Sequence, residues 1–210
     1  MRVVTIPVGA LQSNCYLVAD SETREAVVID PGDESTIILE QIDQNNLIIQ
    51  AILLTHAHFD HIMAVRPVRD ALNIPIYMHQ DDAYIYDHVE TLAAHFGIMA
   101  EPPVPVDRYF EENDTIDFGS ISISVISTPG HSPGGVSFLI TGAPSHVFSG
   151  DTLFSGSIGR TDLPGGDSNL LLQSIHEKLI VLDDTTIVYP GHGPASTIGT
   201  EKRSNPYLYK

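Results

Sequence analysis

The sequence predicts an α/β fold in which each half of the chain supplies several strands and then helices. Short apolar runs rich in valine, isoleucine and leucine alternate with segments of helical spacing. Four of those runs end at a residue of the metal-ligating type. The chain, 210 residues of which 42% are hydrophobic, is long enough to bury a substantial core and suits one domain over 1–210.

Residues 3–8, 14–19 and 25–30 read as strands, the last closed by the turn Asp30-Pro31-Gly32-Asp33. Residues 35–45 carry Ile37, Ile38 and Ile42 at helical spacing after acidic residues, which predicts a helix. The run 48–54 is short and apolar and lacks that spacing, so it reads as a buried strand. A helix over 60–72 follows, with Pro67 as a kink point. Residues 74–78 read as a strand and 81–96 as a helix, with Ala83, Ile85, Leu92 and Phe96 as its buried positions. The proline-rich stretch 101–105 is too short for an interdomain linker and marks the join of the two halves. Beyond it, 115–118, 120–127, 136–140, 146–148 and 186–189 read as strands and 168–181 as a helix. The tail, 193–210, is irregular or briefly helical, and no short-period repeat is present.

Composition narrows the function. Ten Lys and Arg against 27 Asp and Glu give a net charge of −17, a surface that repels nucleic-acid phosphates. No apolar window reaches a membrane-spanning length. The apolar start after Arg2 contains Pro7 and Gly9 and reads as a strand rather than a signal peptide, so a cytoplasmic location and no membrane partner are expected. The lone Cys15 precedes the apolar Tyr16-Leu17-Val18, which marks a buried structural thiol rather than a nucleophile.

The chemistry is concentrated in Thr55-His56-Ala57-His58-Phe59-Asp60-His61, directly after a buried strand. His56 and His58 are two apart, so extended backbone points both to one side. Imidazole with carboxylate is the ligand set of zinc and similar ions. Three further strand ends repeat the pattern: Pro129-Gly130-His131, Ser149-Gly150-Asp151 and Pro190-Gly191-His192. In open α/β sheets the binding crevice lies at the carboxyl ends of strands. His56, His58, Asp60, His61, His131, Asp151 and His192 are too many for one tetrahedral ion and suit two ions sharing a carboxylate. His79, His88, His95, His146 and His176 lack such context and read as surface or capping residues.

These motifs resemble the metallo-β-lactamase superfamily, which implies an αβ/βα sandwich of two mixed sheets flanked by helices. The resemblance implies His56, His58 and His131 on one metal, Asp60, His61 and His192 on the other, and Asp151 between them. The stretches 128–134, 150–154 and Gly159-Arg160-Thr161-Asp162 are similar to the glyoxalase II-like thioesterases, the hydroxyacylglutathione hydrolases. The chain stops soon after His192 and has Gly191-His192-Gly193-Pro194 where that family tends to carry Gly-His-Glu-Tyr, so the likeness is to a short subgroup.

That resemblance implies a thioester hydrolase with two divalent ions, zinc first, iron or manganese as alternatives. Such a pair lowers the pKa of a shared water to roughly 7, supplying a hydroxide for a thioester carbonyl. Asp60 and Asp151 would hold that hydroxide as well as the metals. The rival readings are a mononuclear-iron persulfide dioxygenase and a lactone hydrolase. Arg160 is a candidate clamp for a substrate carboxylate, or else an internal ion pair with Asp162 or Asp167. Lys202 and Arg203, in a tail similar to that of full-length glyoxalase II, are candidates to fold back and bind the same carboxylates.

Overall fold

The computed structural model describes residues 1–209. Strands β1 (Arg2–Val8), β2 (Ser13–Ala19) and β3 (Glu25–Ile29) form an antiparallel meander. Helix α1 (Ser35–Gln44) then crosses over to β4 (Ile48–Leu53), which lies parallel to β3. Helices α2 (Phe59–Ile62) and α3 (Val65–Leu72) lead to β5 (Ile76–His79), and α4 (Ala83–Asp87) and α5 (Val89–Ala94) to β6 (Arg108–Phe110). The first sheet therefore runs β1-β2-β3-β4-β5-β6. In the second half, β7 (Thr115–Phe118), β8 (Ile121–Ser127), β9 (Val136–Ile140) and β10 (His146–Gly150) pair antiparallel. A separate hairpin, β11 (Leu153–Phe154) and β12 (Ser157–Ile158), precedes α6 (Ser168–Ser174), a π-helical turn over Ile175–Leu179, and β13 (Ile187–Pro190) beside β10. Strand β14 (Ser196–Thr197) closes that sheet, and α7 (Ile198–Ser204) follows.

Side-chain alternation assigns each strand residue to one of two layers. Tyr16, Val18, Val27, Ile29 and Leu53 point between the sheets and pack with Val125, Phe138 and Phe148 of the second. Their neighbours Cys15, Leu17, Val28 and Ile52 point outward, under Ile38, Val68 and Ile85 of the helices. On the far side Val147 and Val188 pack under Leu171, Leu179 and Ile198. The result is the helix–sheet–sheet–helix sandwich expected from the motifs. Phe138 and Phe148 are wholly buried, worth about 1.5–3 kcal/mol each in area removed from water. Among the described residues no helix is long and apolar enough to cross a membrane.

Several boundaries differ from expectation for tertiary reasons. The helix expected over 60–72 is broken at Met63 and Ala64, where Ala64 N–H donates to Pro31 O at 3.0 Å instead of continuing the ladder. Pro67 sits in the first turn of α3, where its missing N–H costs no helical bond, so it is not a kink. The helix expected over 81–96 is divided at His88. Of its expected core positions only Ile85 is buried; Ala83 and Leu92 are half-buried and Phe96 is 52% exposed. Strands β6, β11, β12 and β14 have only two or three residues and leave no periodicity to read.

Candidate metal centre

All seven ligand-type residues meet at one edge of the sandwich. His56 and His58 follow β4, and Asp60 and His61 lie on α2. His131 comes after β8, Asp151 immediately after β10, and His192 just past β13. Three groups have mutually close ligand atoms: His56, His58 and His131; Asp60, His61 and His192; and, between them, Asp30 with His56 and His61. In the first, His58 Nδ1 is 2.8 Å from His131 Nε2. In the second, His192 Nε2 is 3.2 Å from Asp60 Oδ2 and 3.3 Å from His61 Nε2. Asp151 reaches both: one oxygen is 3.5 Å from His61 Nε2, the other 3.5 Å from His131 Nε2. A β-carbon at Gly191 would collide with Asp151 Oδ1, so only glycine lets the His192 turn pass this close.

The outer nitrogens of four histidines are fixed by the fold, which sets which nitrogen faces inward. His131 Nδ1 donates to Arg160 O at 2.7 Å, and His192 Nδ1 to Leu11 O at 3.2 Å. The Thr55 hydroxyl donates to Asp30 Oδ2 at 2.6 Å, so His56 Nδ1, 3.0 Å away, donates to Thr55 Oγ1. His61 Nδ1 donates to the same Asp30 oxygen at 3.3 Å. The turn bearing His192 is anchored across the sandwich: Asn14 Nδ2 donates to Pro190 O and Gly193 O, and the Tyr16 hydroxyl to Pro190 O at 2.6 Å.

Two carboxylates central to this arrangement escaped the sequence reading. Asp30, wholly buried, accepts from Thr55 and orients His61. It ends an apolar strand, as the other candidates do, but it precedes its Pro31-Gly32 where His131 and His192 follow theirs. Asp82, also buried, accepts from Ala57 N, the Ser132 hydroxyl and Gly134 N, at 2.9, 2.8 and 2.6 Å. It ties the His56–His58 segment to the His131 loop. Its partners are 25, 50 and 52 positions away, so no local pattern announces it.

The residues fit bound divalent ions. His56 Nε2 and Asp151 Oδ1 are buried without a hydrogen-bond partner, a costly arrangement unless a cation completes it. Burial and the neighbouring rings of His61 and His131 hold His56 well below the usual histidine range. Burial, reinforced by His131, lowers His58 to about 3. Both are thus the neutral form that ligates metal. Burial would also lower His61, but Asp60, Asp151 and Asp30 push it up to about 10: in metal-free protein a proton occupies this nitrogen.

The metal-free protein should therefore lose stability on both sides of about pH 6.5. Above 6.5 the unfolded chain releases a proton that folded His61 keeps, so its contribution declines as pH rises toward 10. Below 6.5 the unfolded chain takes protons that folded His56 and His58 refuse, so stability falls as pH drops toward 3. Urea unfolding of chelator-treated protein across pH 5–9 checks this. Restoring metal at roughly a hundred times its Kd should add about 2.7 kcal/mol.

The basic residues are placed otherwise. Arg160 borders the cleft, but its guanidinium is paired to Asp162 by two bonds of 2.7 Å. The structure does not bring Lys202 or Arg203 to the cleft lining. Lys202 Nζ instead donates to Asp184 at 2.7 Å and Leu182 O at 3.0 Å. What α7 brings toward the site is acid and amide. Buried Glu201 accepts from Gly156 N at 2.9 Å, and Asn205 Nδ2 donates to Ser157 O at 3.0 Å, bracing the hairpin whose Phe154 and Ile158 line the cleft.

This fold with this cluster defines a metal-dependent enzyme. Residues 8–192 match the model of the metallo-β-lactamase superfamily, and the chain belongs to that family. It is similar to the hydroxyacylglutathione hydrolase GloC of Haemophilus influenzae, 37% identical over 99% of this chain and 98% of that one. Among solved structures it is similar to BLEG-1, a B3 metallo-β-lactamase, with 42% identity, a TM-score of 0.93 and full coverage of both chains. A second, solved in a di-iron-bound form, shows 46% identity and a TM-score of 0.89 over 98% of this chain and 100% of that one.

Proposed function

We propose that this protein is a thioester hydrolase working with two divalent metal ions. The observation that carries the reading is the division of seven buried or half-buried ligand groups into two sets joined by Asp151. His56, His58 and His131 would hold one ion, Asp60, His61 and His192 the other, with Asp151 touching both. The likeness to a hydroxyacylglutathione hydrolase supports the substrate class, and the di-iron relative supports two-metal occupancy. When bound, such ions supply a nucleophilic water at neutral pH and polarise a carbonyl.

The chain's own groups do the rest. Burial opposes the charge of Asp60, yet His61 and the hydrogen bond from His192 hold its carboxyl below the usual range. It is therefore ionised, suited to holding an ion and to orienting a water by accepting its hydrogen bond. No side-chain nucleophile competes: burial raises Cys15 well above the ordinary thiol range. The apolar cleft walls limit bulk water and seat the acyl group beside the carboxylates.

Metal content measured together with rates on a thioester, lactone, β-lactam and persulfide panel tests this. Two ions per chain and thioester hydrolysis without oxygen uptake are expected. Iron-dependent oxygen uptake with glutathione persulfide would move the protein to the dioxygenases, and faster lactone or β-lactam cleavage would move it to those hydrolases.

A further inference from the structure

The cleft beside the ligand groups encloses about 390 Å³, within the range of small-molecule pockets. Apart from the ligand residues that border it, its lining is aliphatic or aromatic with Arg160 the one exception. Val89, Leu92 and Phe96 come from α5 and the turn after it, and Phe154, Ile158 and Leu163 from the hairpin and the loop beyond. Phe96 is half-exposed and rests on Phe59 at a ring separation of 5.3 Å. An exposed phenylalanine next to an apolar hollow is surface that gains by being covered.

Charge favours the same conclusion. The lining's one cation already holds Asp162 through both carboxylate oxygens. Beyond the metal centre, a thiol with two carboxylates, such as glutathione, therefore meets no unpaired Lys or Arg among the described residues that line the cleft, on a protein of net charge −17. A neutral apolar group meets the opposite: a preformed hollow that it dries on entry.

We propose that the cleft selects thioesters by an apolar acyl group, a hydrocarbon chain or aryl ring lying along Leu92, Phe96 and Phe154, and not by an anionic thiol. This rests on the hydrolase reading above and adds the substrate class to it. The cleft is continuous with the ligand groups, where the carbonyl must sit; the proposal commits its apolar walls to the acyl side, and the thiol-chain series below tests that choice.

The test uses metal-loaded protein and straight-chain acyl thioesters from acetyl to octanoyl, each made on neutral N-acetylcysteamine and on glutathione. We expect kcat/KM to rise about threefold per added methylene until the chain outgrows the cleft, since each buried methylene favours binding by that order. Leu92→Asn and, separately, half-exposed Phe96→Ser should flatten that slope. Glutathione should give no more than about a threefold advantage at equal acyl length. Alkyl thioesters of acetate, which put the chain on the thiol, should show the shallower dependence. A flat acyl series, a tenfold preference for glutathione, or a steeper dependence on the thiol chain overturns the proposal. Calorimetry of S-alkyl ethers of N-acetylcysteamine separates the two readings. Chain-dependent binding without turnover of any thioester refutes the hydrolase and keeps the cleft's ligand class; turnover without chain dependence does the reverse.

Discussion

Replacing Asp151 with alanine is expected to lower kcat/KM by about 10³-fold or more, with the fold intact. One of its oxygens faces His61 and the other faces both His131 and His192, so one truncation disturbs both sets. Metal sites contribute several kcal/mol to transition-state stabilisation, and each 1.4 kcal/mol is tenfold in rate. Removing His192 alone should cost less, because Asp60 and His61 stay in place for the second set. Steady-state kinetics with metal analysis and circular dichroism on both variants checks the order. Near-normal turnover in Asp151→Ala would remove the residue from its joining role.

The second large effect is expected at Asp82, which does not itself line the cleft. Asp82→Ala leaves the Ala57 amide, the Ser132 hydroxyl and the Gly134 amide without their acceptor in a buried place. Hydrogen bonds to a charged group are worth about 1.5–3 kcal/mol each and are not additive, so a loss of roughly 3 kcal/mol or more is expected. Because the residue ties the His56–His58 segment to the His131 loop, metal affinity should also fall, by about 10–100-fold. Burial raises the Asp82 carboxyl while its three donors draw it back, so a neutral acceptor of the same shape recovers part of the arrangement. Asp82→Asn should accordingly lie between alanine and the natural residue in both urea midpoint and metal affinity. An alanine variant within 1 kcal/mol of the parent would show that the loops hold without it.

The residues that converge on the candidate centre are legible because their signal is local. An apolar strand followed by histidine or aspartate, commonly through a glycine turn, is visible over a handful of positions. Asp30 shares only the strand end, and an aspartate before Pro-Gly is ordinary turn chemistry. Asp82 carries no such signal, because its role is set by two loops distant in sequence. The layered sheets were readable from alternation and helical spacing, whereas α2 and α3 were fused in expectation because a contact from Pro31 O breaks them. The tail shows the limit of counting charges. Lys202 and Arg203 are rare cations in an acidic chain, yet Lys202 is held by Asp184, and it is Glu201 and Asn205 that reach toward the cleft.

The division of the ligands between the halves has a consequence for how the protein matures. Residues before the 101–105 join provide His56, His58, Asp60 and His61, and residues after it provide His131, Asp151 and His192. Neither half completes either set. Contacts spanning 70 or more residues form late, after the local helices and hairpins. The N-terminal half alone gathers only Asp30, His56 and His61, so a half-folded chain would offer at most that group. The two sets proposed to hold the ions would be complete only once both sheets have closed on each other. Ions held as proposed would clasp the sandwich at the edge where the sets meet, and separating the sheets would require their release. Metal loading would then mark completed assembly and, afterwards, act as a brake on unfolding and proteolysis.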